Sequence, residues 1–161
     1  SSRSIRMAGD KLNNDIASYI KDKHGLVIGE HTAENIKMKL GTALKVDKPA
    51  EMDVRGRDVA SGMPKQITVN ENEIEEAIHD TLEQILTATV NVLETVPPEL
   101  ASDIIDRGIM LTGGTALLKG IDKLFSDRLK VPVVVSQSPL DNVAKGAGEM
   151  LERMQKTDRK K

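Results

Sequence analysis

The sequence predicts an α/β fold that carries an inserted α+β subdomain. Helical and strand-like patterns alternate over the C-terminal half, an order typical of a sheet covered by helices. Two short apolar runs, 109–111 and 131–135, are typical of buried strands. Between them, Gly113-Gly114 follows the first run and opens a helical pattern. This alternation indicates an α/β layer with buried strands.

Length and composition narrow the class of protein. The 161 residues fit one domain or two small ones, and apolar and charged fractions of 39% and 30% are those of a globular chain. The net charge of −2 gives no electrostatic reason to bind nucleic acid, and the lack of Cys excludes disulfides and thiolate sites. No uninterrupted apolar run reaches the roughly 18–20 residues that span a bilayer. We therefore expect a cytoplasmic domain without a nucleic-acid partner.

The N-terminal segment predicts a strand followed by a helix. Residues 1–7 alternate in polarity, as strands do, and Asp10 is the expected N-cap of the helix. Gly25 is the expected stop. The apolar face of this helix comprises Leu12, Ile16, Tyr19 and Ile20.

A second helix and a hairpin follow. Thr32 is the expected N-cap of a helix over 32–40, which Gly41 ends. The runs 52–55 and 66–69 alternate with period two around a turn, and such a pair predicts a β-hairpin. We expect 1–8 to be a core strand and 9–69 to form the small inserted α+β subdomain.

The longest helix has the clearest start signal. Asn70 and Glu73 have the spacing of a capping box, and apolar residues then repeat at three and four. The helix should end near Val96, because Pro97-Pro98 cannot continue it, and a short helix over 98–106 should follow.

The C-terminal part completes the core. Gly120 interrupts the helical pattern after the glycine pair, and a last helix is expected over 142–154. We expect 70–155 to form the core α/β subdomain and 156–161 to be a basic flexible tail. The last helix should bury Val143, Ala147, Met150, Leu151 and Met154.

The glycine pair is the first candidate for a binding site. Gly113 and Gly114 lie at the carboxyl end of a predicted strand, where ligands bind in open α/β sheets. Residues without Cβ let the backbone approach a ligand closely. Taken alone, the pair is better explained by a tight turn required by packing, since a fold does not imply a function.

The second candidate is a stripe on the second helix. Glu30, Glu34 and Lys37 are spaced by four and three residues and share one face. Their oxygens could accept hydrogen bonds from ribose hydroxyls, and the ammonium could donate to a ring nitrogen. A solvated face with an ordinary ion pair is the alternative.

Catalytic motifs are missing from the sequence. No two of His24, His31 and His79 have a metal-ligand spacing such as i,i+4. There is neither a Walker-type phosphate loop nor a G-x-S-x-G nucleophile turn. We expect this chain alone not to be an enzyme.

A series of short motifs occurs in order along nearly the whole chain: Ser4-Ile5-Arg6, Ala8-Gly9-Asp10, Gly29-Glu30, Thr32-Ala33-Glu34, Ile36-Lys37, Val54 with Gly56-Arg57-Asp58, Gly62 with Pro64-Lys65, Pro97-Pro98-Glu99-Leu100-Ala101 and Leu111-Thr112-Gly113-Gly114. Together these motifs resemble the C-terminal half of the bacterial actin homologues of the MreB/Mbl type.

The resemblance implies the second lobe of an actin-like ATPase (ribonuclease H-like) fold, with a partial core sheet. It implies a whole protein that binds ATP or ADP with Mg²⁺, forms filaments, and is a slow ATPase coupled to polymerisation. By analogy, both phosphate loops, the water-activating acid and the membrane-inserting segment would precede Ser1. Implied partners are further copies, cell-wall synthesis proteins, membrane-associated morphogenesis proteins and the inner face of the cell membrane.

The same resemblance joins the two candidate patches into one adenosine site. The residues carried over are Ala33, Glu34, Asn35, Ile36, Lys37, Gly113, Gly114, Thr115 and Ala116. Thr115 departs from the family, which usually has a third glycine there, and this matters if the position needs a positive φ. Two alternatives remain: a non-hydrolysing protein-interaction scaffold, and an enzyme of the same superfold such as a sugar kinase.

Overall fold

The computed structural model describes residues 9–142 and 144–150. The strand predicted for 1–8 and the tail at 156–161 lie outside these residues. The elements are α1 (Gly9–His24), β1 (Leu26–Val27), α2 (Glu30–Leu40), β2 (Glu51–Asp58), β3 (Pro64–Asn70), α3 (Glu71–Leu93), α4 (Pro98–Arg107), β4 (Ile109–Leu111), a 3-10 helix (Gly114–Leu117), α5 (Ile121–Leu129) and β5 (Val133–Val135).

Three antiparallel strands in the order β1-β2-β3 form the first sheet. The predicted hairpin is confirmed, and its strands extend beyond the alternating cores that the sequence marks. Val54 and Val69 point into the core, while their strand neighbours Asp53 and Thr68 face out and hydrogen-bond at 2.8 Å. Period-two patterning therefore sets the register, because a slip by one residue would expose the buried valines.

The turn of this hairpin is organised by Asp58. Its carboxylate accepts hydrogen bonds from the Ser61 N–H at 2.9 Å and the Ser61 hydroxyl at 2.8 Å, and Lys65 Nζ lies at 3.1 Å. These three donors, led by the Ser61 N–H, lower the pKa of Asp58 to about 2. The turn is thus held by a carboxylate in its ionised form.

Helices α1, α2 and α3 pack together over the inner face of this sheet. The predicted apolar face of α1 is confirmed for Leu12, Ile16 and Ile20, which are fully buried. Helix α3 contributes a matching stripe at helical spacing, and its buried apolar residues are Ile74, Ile78, Leu82 and Leu86. One apolar cluster thus joins residues 9–69 to the later elements of the described chain.

Two predicted N-caps are wrong. Gly9, the first described residue, is already helical, so Asp10 lies within the first described turn of α1, where its negative charge complements the helix dipole. Helix α2 begins two residues before Thr32, and its N-cap is Gly29 in an extended conformation without a side-chain cap. Glu30 then occupies the first turn, so dipole complementation replaces the capping hydroxyl.

The capping box at the start of α3 is confirmed. The Asn70 side chain accepts from the Glu73 N–H at 3.1 Å, and the Glu73 carboxylate accepts from the Asn70 N–H at 3.1 Å. Helix α3 ends at Leu93, slightly before the predicted Val96, and α4 begins at Pro98 as predicted.

The second sheet pairs β4 and β5 in parallel, with Met110 opposite Val134. Both strands were expected to be buried, and this is wrong for one face: Met110 is 66% and Val134 is 50% exposed. Successive side chains of a strand point to opposite faces, and only the face of Ile109 and Leu111 packs against the core. Within 9–142 and 144–150, nothing covers the other face.

The last helix also departs from its prediction. Residues 142 and 144–150 are helical, but Ala147 and Met150 are exposed, and Val143, Leu151 and Met154 lie outside the described residues. The expected inner face is wrong for those two, because no described element packs against it. Among the described residues, no helix has the length and apolar character needed to cross a membrane.

We predict that Asn70→Ala lowers the free energy of unfolding by about 1 kcal/mol, because the orphan N–H of Glu73 loses its acceptor. Urea denaturation of the chain measures this. Asn91→Ala is the matched control, since Asn91 is exposed within the same helix and caps nothing. Equal stability of the Asn70→Ala and Asn91→Ala variants would show that the capping box contributes nothing.

Candidate functional site

A cavity of about 520 Å³ opens between α2 and the segment that follows β4. One wall is the outward side of α2, and the other is the glycine loop with the 3-10 helix. The residues that line it are Gly9, Glu34, Lys37, Met38, Thr112, Gly113, Gly114, Thr115, Leu117, Leu118 and Leu140.

The α2 wall follows from the helical period. Ala33, Ile36 and Leu40 are buried in the core. Glu34 and Lys37, each of which directly follows one of these buried residues in the sequence, therefore face the cavity. The Lys37 ammonium lies 3.3 Å from the carbonyl oxygen of Gly9, at the start of α1. The helix therefore presents one carboxylate and one positioned ammonium to the same space.

The loop wall follows from the parallel pairing of β4 and β5. Their carboxyl ends meet at one edge, so the loops that leave them are neighbours. Thr112 Oγ1 donates to the Pro139 carbonyl at 3.0 Å, and the Gly113 N–H donates to the same oxygen at 2.8 Å. These two bonds fix the glycine loop against the loop that carries Leu140 into the cavity.

Gly113 is required by its backbone conformation. Its φ of 87° and ψ of 172° fall in a region that is essentially restricted to glycine. A Cβ built there would have no atom within 4 Å, so the constraint is torsional and not spatial. The space in front of Gly113 is therefore open for a ligand.

Thr115 takes an ordinary backbone conformation. It lies inside the 3-10 helix, and among the described residues only Lys130 combines a side chain with a positive φ. The position consequently has no conformational need for glycine. The departure from the family's usual third glycine is therefore neutral for the backbone conformation.

The structure brings together five of the nine residues predicted for the site: Glu34, Lys37, Gly113, Gly114 and Thr115. The other four do not line the cavity. Ala33 and Ile36 are fully buried on the core-facing side of α2, Ala116 is the buried residue of the 3-10 helix, and Asn35 lies between the two faces of α2. A helix cannot direct five consecutive side chains into one cavity.

Six lining residues were not predicted: Gly9, Met38, Thr112, Leu117, Leu118 and Leu140. Met38 could have been found, because it lies four residues after Glu34 on the same helical face. Thr112 and Leu140 could have been suspected from their positions after two strands that the sequence already marks. Nothing local in the sequence distinguishes Gly9.

The chemistry of the cavity suits a flat, partly apolar molecule with hydroxyl groups. Met38 is 77% exposed, and Leu117 and Leu140 are also largely exposed, so apolar side chains form an open rim. Glu34 can accept and Lys37 can donate hydrogen bonds at one wall. Among the described residues, no group of three His, Asp or Glu side chains is arranged to hold a metal ion.

Comparison with known proteins identifies the family. The model of the family described as MreB/Mbl protein matches residues 1–159. The chain belongs to the MreB/Mbl family. It is 50% identical to the cell shape-determining protein Mbl of Bacillus subtilis over 160 residues, and 46% identical to the cell shape-determining protein MreB of Escherichia coli K12 over 151 residues.

These alignments cover 99% and 94% of this chain but only 48% and 44% of the two relatives. This member of the MreB/Mbl family therefore spans about half the length of the curated relatives it matches. The family resemblance stated from its motifs is confirmed.

Solved structures show the same fold. MreB5 of Spiroplasma citri bound to AMPPNP superposes with a TM-score of 0.92 at 34% identity, covering 98% of this chain and 47% of that one. The double helical filament of MamK superposes with a TM-score of 0.76 at 17% identity, covering 92% of this chain and 45% of that one, which shows the fold alone. The fold of this MreB/Mbl chain is actin-like, as predicted.

We predict that Gly113→Ala lowers the free energy of unfolding by about 1–3 kcal/mol, because alanine rarely adopts this conformation. Gly114→Ala is the matched control. Its φ is not positive, and its added Cβ would meet only Leu140 Cδ2, at 3.7 Å. We expect the control to change stability by less than about 0.5 kcal/mol. Equal effects in denaturation experiments would contradict the torsional requirement at Gly113.

Proposed function

We propose that this chain supplies the adenosine-binding side of the nucleotide cleft in a filament-forming bacterial cytoskeletal protein. The whole protein would organise cell-wall synthesis and cell shape at the inner face of the cell membrane. The observation that carries the nucleotide-binding role is the cavity in which Glu34 and Lys37 face the loop 113–115.

Each wall has a chemical role in this proposal. Glu34 accepts hydrogen bonds from ribose hydroxyls, and Lys37 donates to the edge of the base. The open backbone at Gly113 lets the ligand approach the loop closely, since no Cβ intervenes. The exposed apolar side chains of Met38, Leu117 and Leu140 cover the faces of the base.

The comparisons support a nucleotide as the ligand. Solved structures of MreB5 of Spiroplasma citri hold AMPPNP or ADP, and both have the fold of this chain. We propose ATP and ADP with Mg²⁺ for the whole protein, with the phosphate and metal contacts mostly outside this chain. Bound nucleotide would supply the phosphoryl chemistry, and residues 9–142 would bind and orient its nucleoside part.

The cellular role rests on the relatives. Two of them are named cell shape-determining proteins, and a MamK structure is a double helical filament. We propose that the whole protein polymerises and hydrolyses ATP slowly in step with polymerisation. Its other partners would be cell-wall synthesis and membrane-associated morphogenesis proteins, with the membrane contacted through the half of the family sequence that this chain does not cover.

One observation favours a second candidate function, a non-hydrolysing scaffold. The exposed rim formed by Met38, Leu117 and Leu140 could pack against a protein partner as well as against a base. This alternative needs no role for Glu34, so nucleotide binding distinguishes the two.

We predict that Glu34→Ala weakens adenine-nucleotide binding about tenfold in a full-length protein that contains this sequence, because a charge-assisted hydrogen bond to ribose is lost. Isothermal titration with AMPPNP and Mg²⁺ measures the Kd. Glu30→Ala is the matched control: both glutamates are exposed on α2, but only Glu34 lines the cavity.

The outcomes of this titration separate the candidates. An unchanged Kd for Glu30→Ala with a raised Kd for Glu34→Ala supports the proposed site. Equal affinities of the two variants would remove Glu34 from the site. A full-length protein that binds no nucleotide at all would favour the scaffold.

We predict that residues 1–161 alone bind AMPPNP with a Kd of roughly 1 mM or weaker, which corresponds to only about −4 kcal/mol. The reason is that the triphosphate carries most of the ligand's charge, and its contacts are proposed to lie outside this chain. Amide chemical shifts followed during titration with adenosine and with AMPPNP measure both affinities. A micromolar Kd for the chain alone would contradict the assignment of the phosphate contacts.

A further inference from the structure

The two walls of the cavity are joined directly behind it, where α2 and the 3-10 helix end. The Lys119 N–H donates to the Gly41 carbonyl at 3.2 Å, and the Ala43 N–H donates to the Lys119 carbonyl at 2.8 Å. Thr42 and Lys119 thereby form a parallel bridge outside both sheets, and Thr42 is almost fully buried. This short ladder, 41–43 with 118–119, is called the wall junction below.

Gly41 sets how closely the walls approach at the junction. A Cβ at this position would lie 2.2 Å from the Lys37 carbonyl oxygen and 2.6 Å from Leu118 Cδ2. Its φ of −62° is ordinary, so the requirement for glycine is one of space. Lys37 and Leu118 belong to opposite walls of the cavity, so a side chain at position 41 would press on both.

Glu71 fastens the junction to α3. It is 5% exposed, and it accepts from the Ala50 N–H at 2.9 Å and from Lys119 Nζ. The Lys119 ammonium, aided by the Ala50 N–H, lowers the pKa of the Glu71 carboxyl against the opposing effect of burial. A buried carboxylate with these two donors ties Lys119, and with it the loop wall, to the start of the longest helix.

We propose that Gly41, Glu71 and Lys119 are positioning residues that fix the separation of the two cavity walls. None of them touches the cavity. They act through Lys37 and Leu118, which do line it. The consequence for ligand affinity rests on the proposed nucleotide function, whereas the effect on wall separation does not.

The variant Lys119→Met tests the junction from its exposed side, since the Lys119 side chain is 60% exposed and Glu71 keeps its hydrogen bond from the Ala50 N–H. Lys123→Met, at an exposed position on α5, is the matched control, and Lys119→Arg is the conservative rescue. Circular dichroism establishes that each variant is folded at the temperature of measurement. Glu71→Gln provides a second variant that removes the charge from the other side of the pair.

The wall separation can be measured without any ligand. The sequence has no Cys, so Lys39→Cys and Leu117→Cys place two unique spin labels, one on α2 and one on the 3-10 helix. Pulsed electron–electron distance measurements on the chain should give a longer and broader distribution for Lys119→Met and Glu71→Gln. Lys119→Arg and Lys123→Met should match the unmodified background. Unchanged distributions in both disrupting variants would overturn the proposal.

Nucleotide affinity then tests the functional consequence in the full-length protein. Lys119→Met should raise the Kd for AMPPNP about fivefold, with Lys119→Arg restoring it. If the two walls move apart in the variants but the wild-type full-length protein binds no nucleotide, the positioning role of the wall junction is supported and the proposed nucleotide function is wrong. If the wild-type protein binds AMPPNP but the distances between the spin labels do not change in the variants, the positioning role of the wall junction is wrong and the proposed nucleotide function is supported.

Discussion

The orientation of α2 is the constraint on which the rest of this site depends. Ala33, Ile36 and Leu40 are buried between α1, α3 and the first sheet. Burying a side chain such as that of Ile36 or Leu40 is worth about 1.5–3 kcal/mol, whereas an exposed ion pair contributes at most about 1 kcal/mol. Packing of the inner stripe therefore decides which way the helix faces, and Glu34 and Lys37 point to the cavity as a consequence.

The opposite wall depends on backbone constraints more than on burial. Parallel pairing of β4 with β5 brings two loops to one edge, and hydrogen bonds to the Pro139 carbonyl hold them together. Gly113 then takes a conformation that other residues rarely adopt. The wall junction sets this loop at a defined distance from α2. The side chains of α2 and the backbone of the glycine loop thus face each other across one cavity. Together they can bind a ring and its hydroxyl groups.

Local sequence signals predicted the secondary structure correctly where the residues that form each signal lie close together in the chain. The capping box of Asn70 and Glu73 marks the start of α3 because both halves of the motif lie within one helical turn. Alternating residues marked the hairpin for a similar reason. The start of α2 was missed because Gly29 caps it without a side-chain hydrogen bond. Burial of Met110 and Val134 was wrongly expected because an apolar run does not reveal how many faces of its sheet are covered.

The candidate site was only partly predictable, since its walls are about 80 positions apart in the sequence. Spacing marked Glu34 and Lys37 on one helix, and glycine content marked Gly113 on one loop, but neither pattern indicates that they meet. Only the family resemblance joined them. Gly9 reaches the cavity through tertiary packing, which leaves no local pattern to detect.

The most direct test of the adenosine role is a crystal structure of the full-length protein with AMPPNP and Mg²⁺. We predict the base between Met38 and the loop 113–117, the ribose hydroxyls within hydrogen-bonding distance of Glu34, and the phosphates directed away from α2. A nucleotide bound elsewhere, with a protein side chain or solvent filling this cavity, would contradict the assignment.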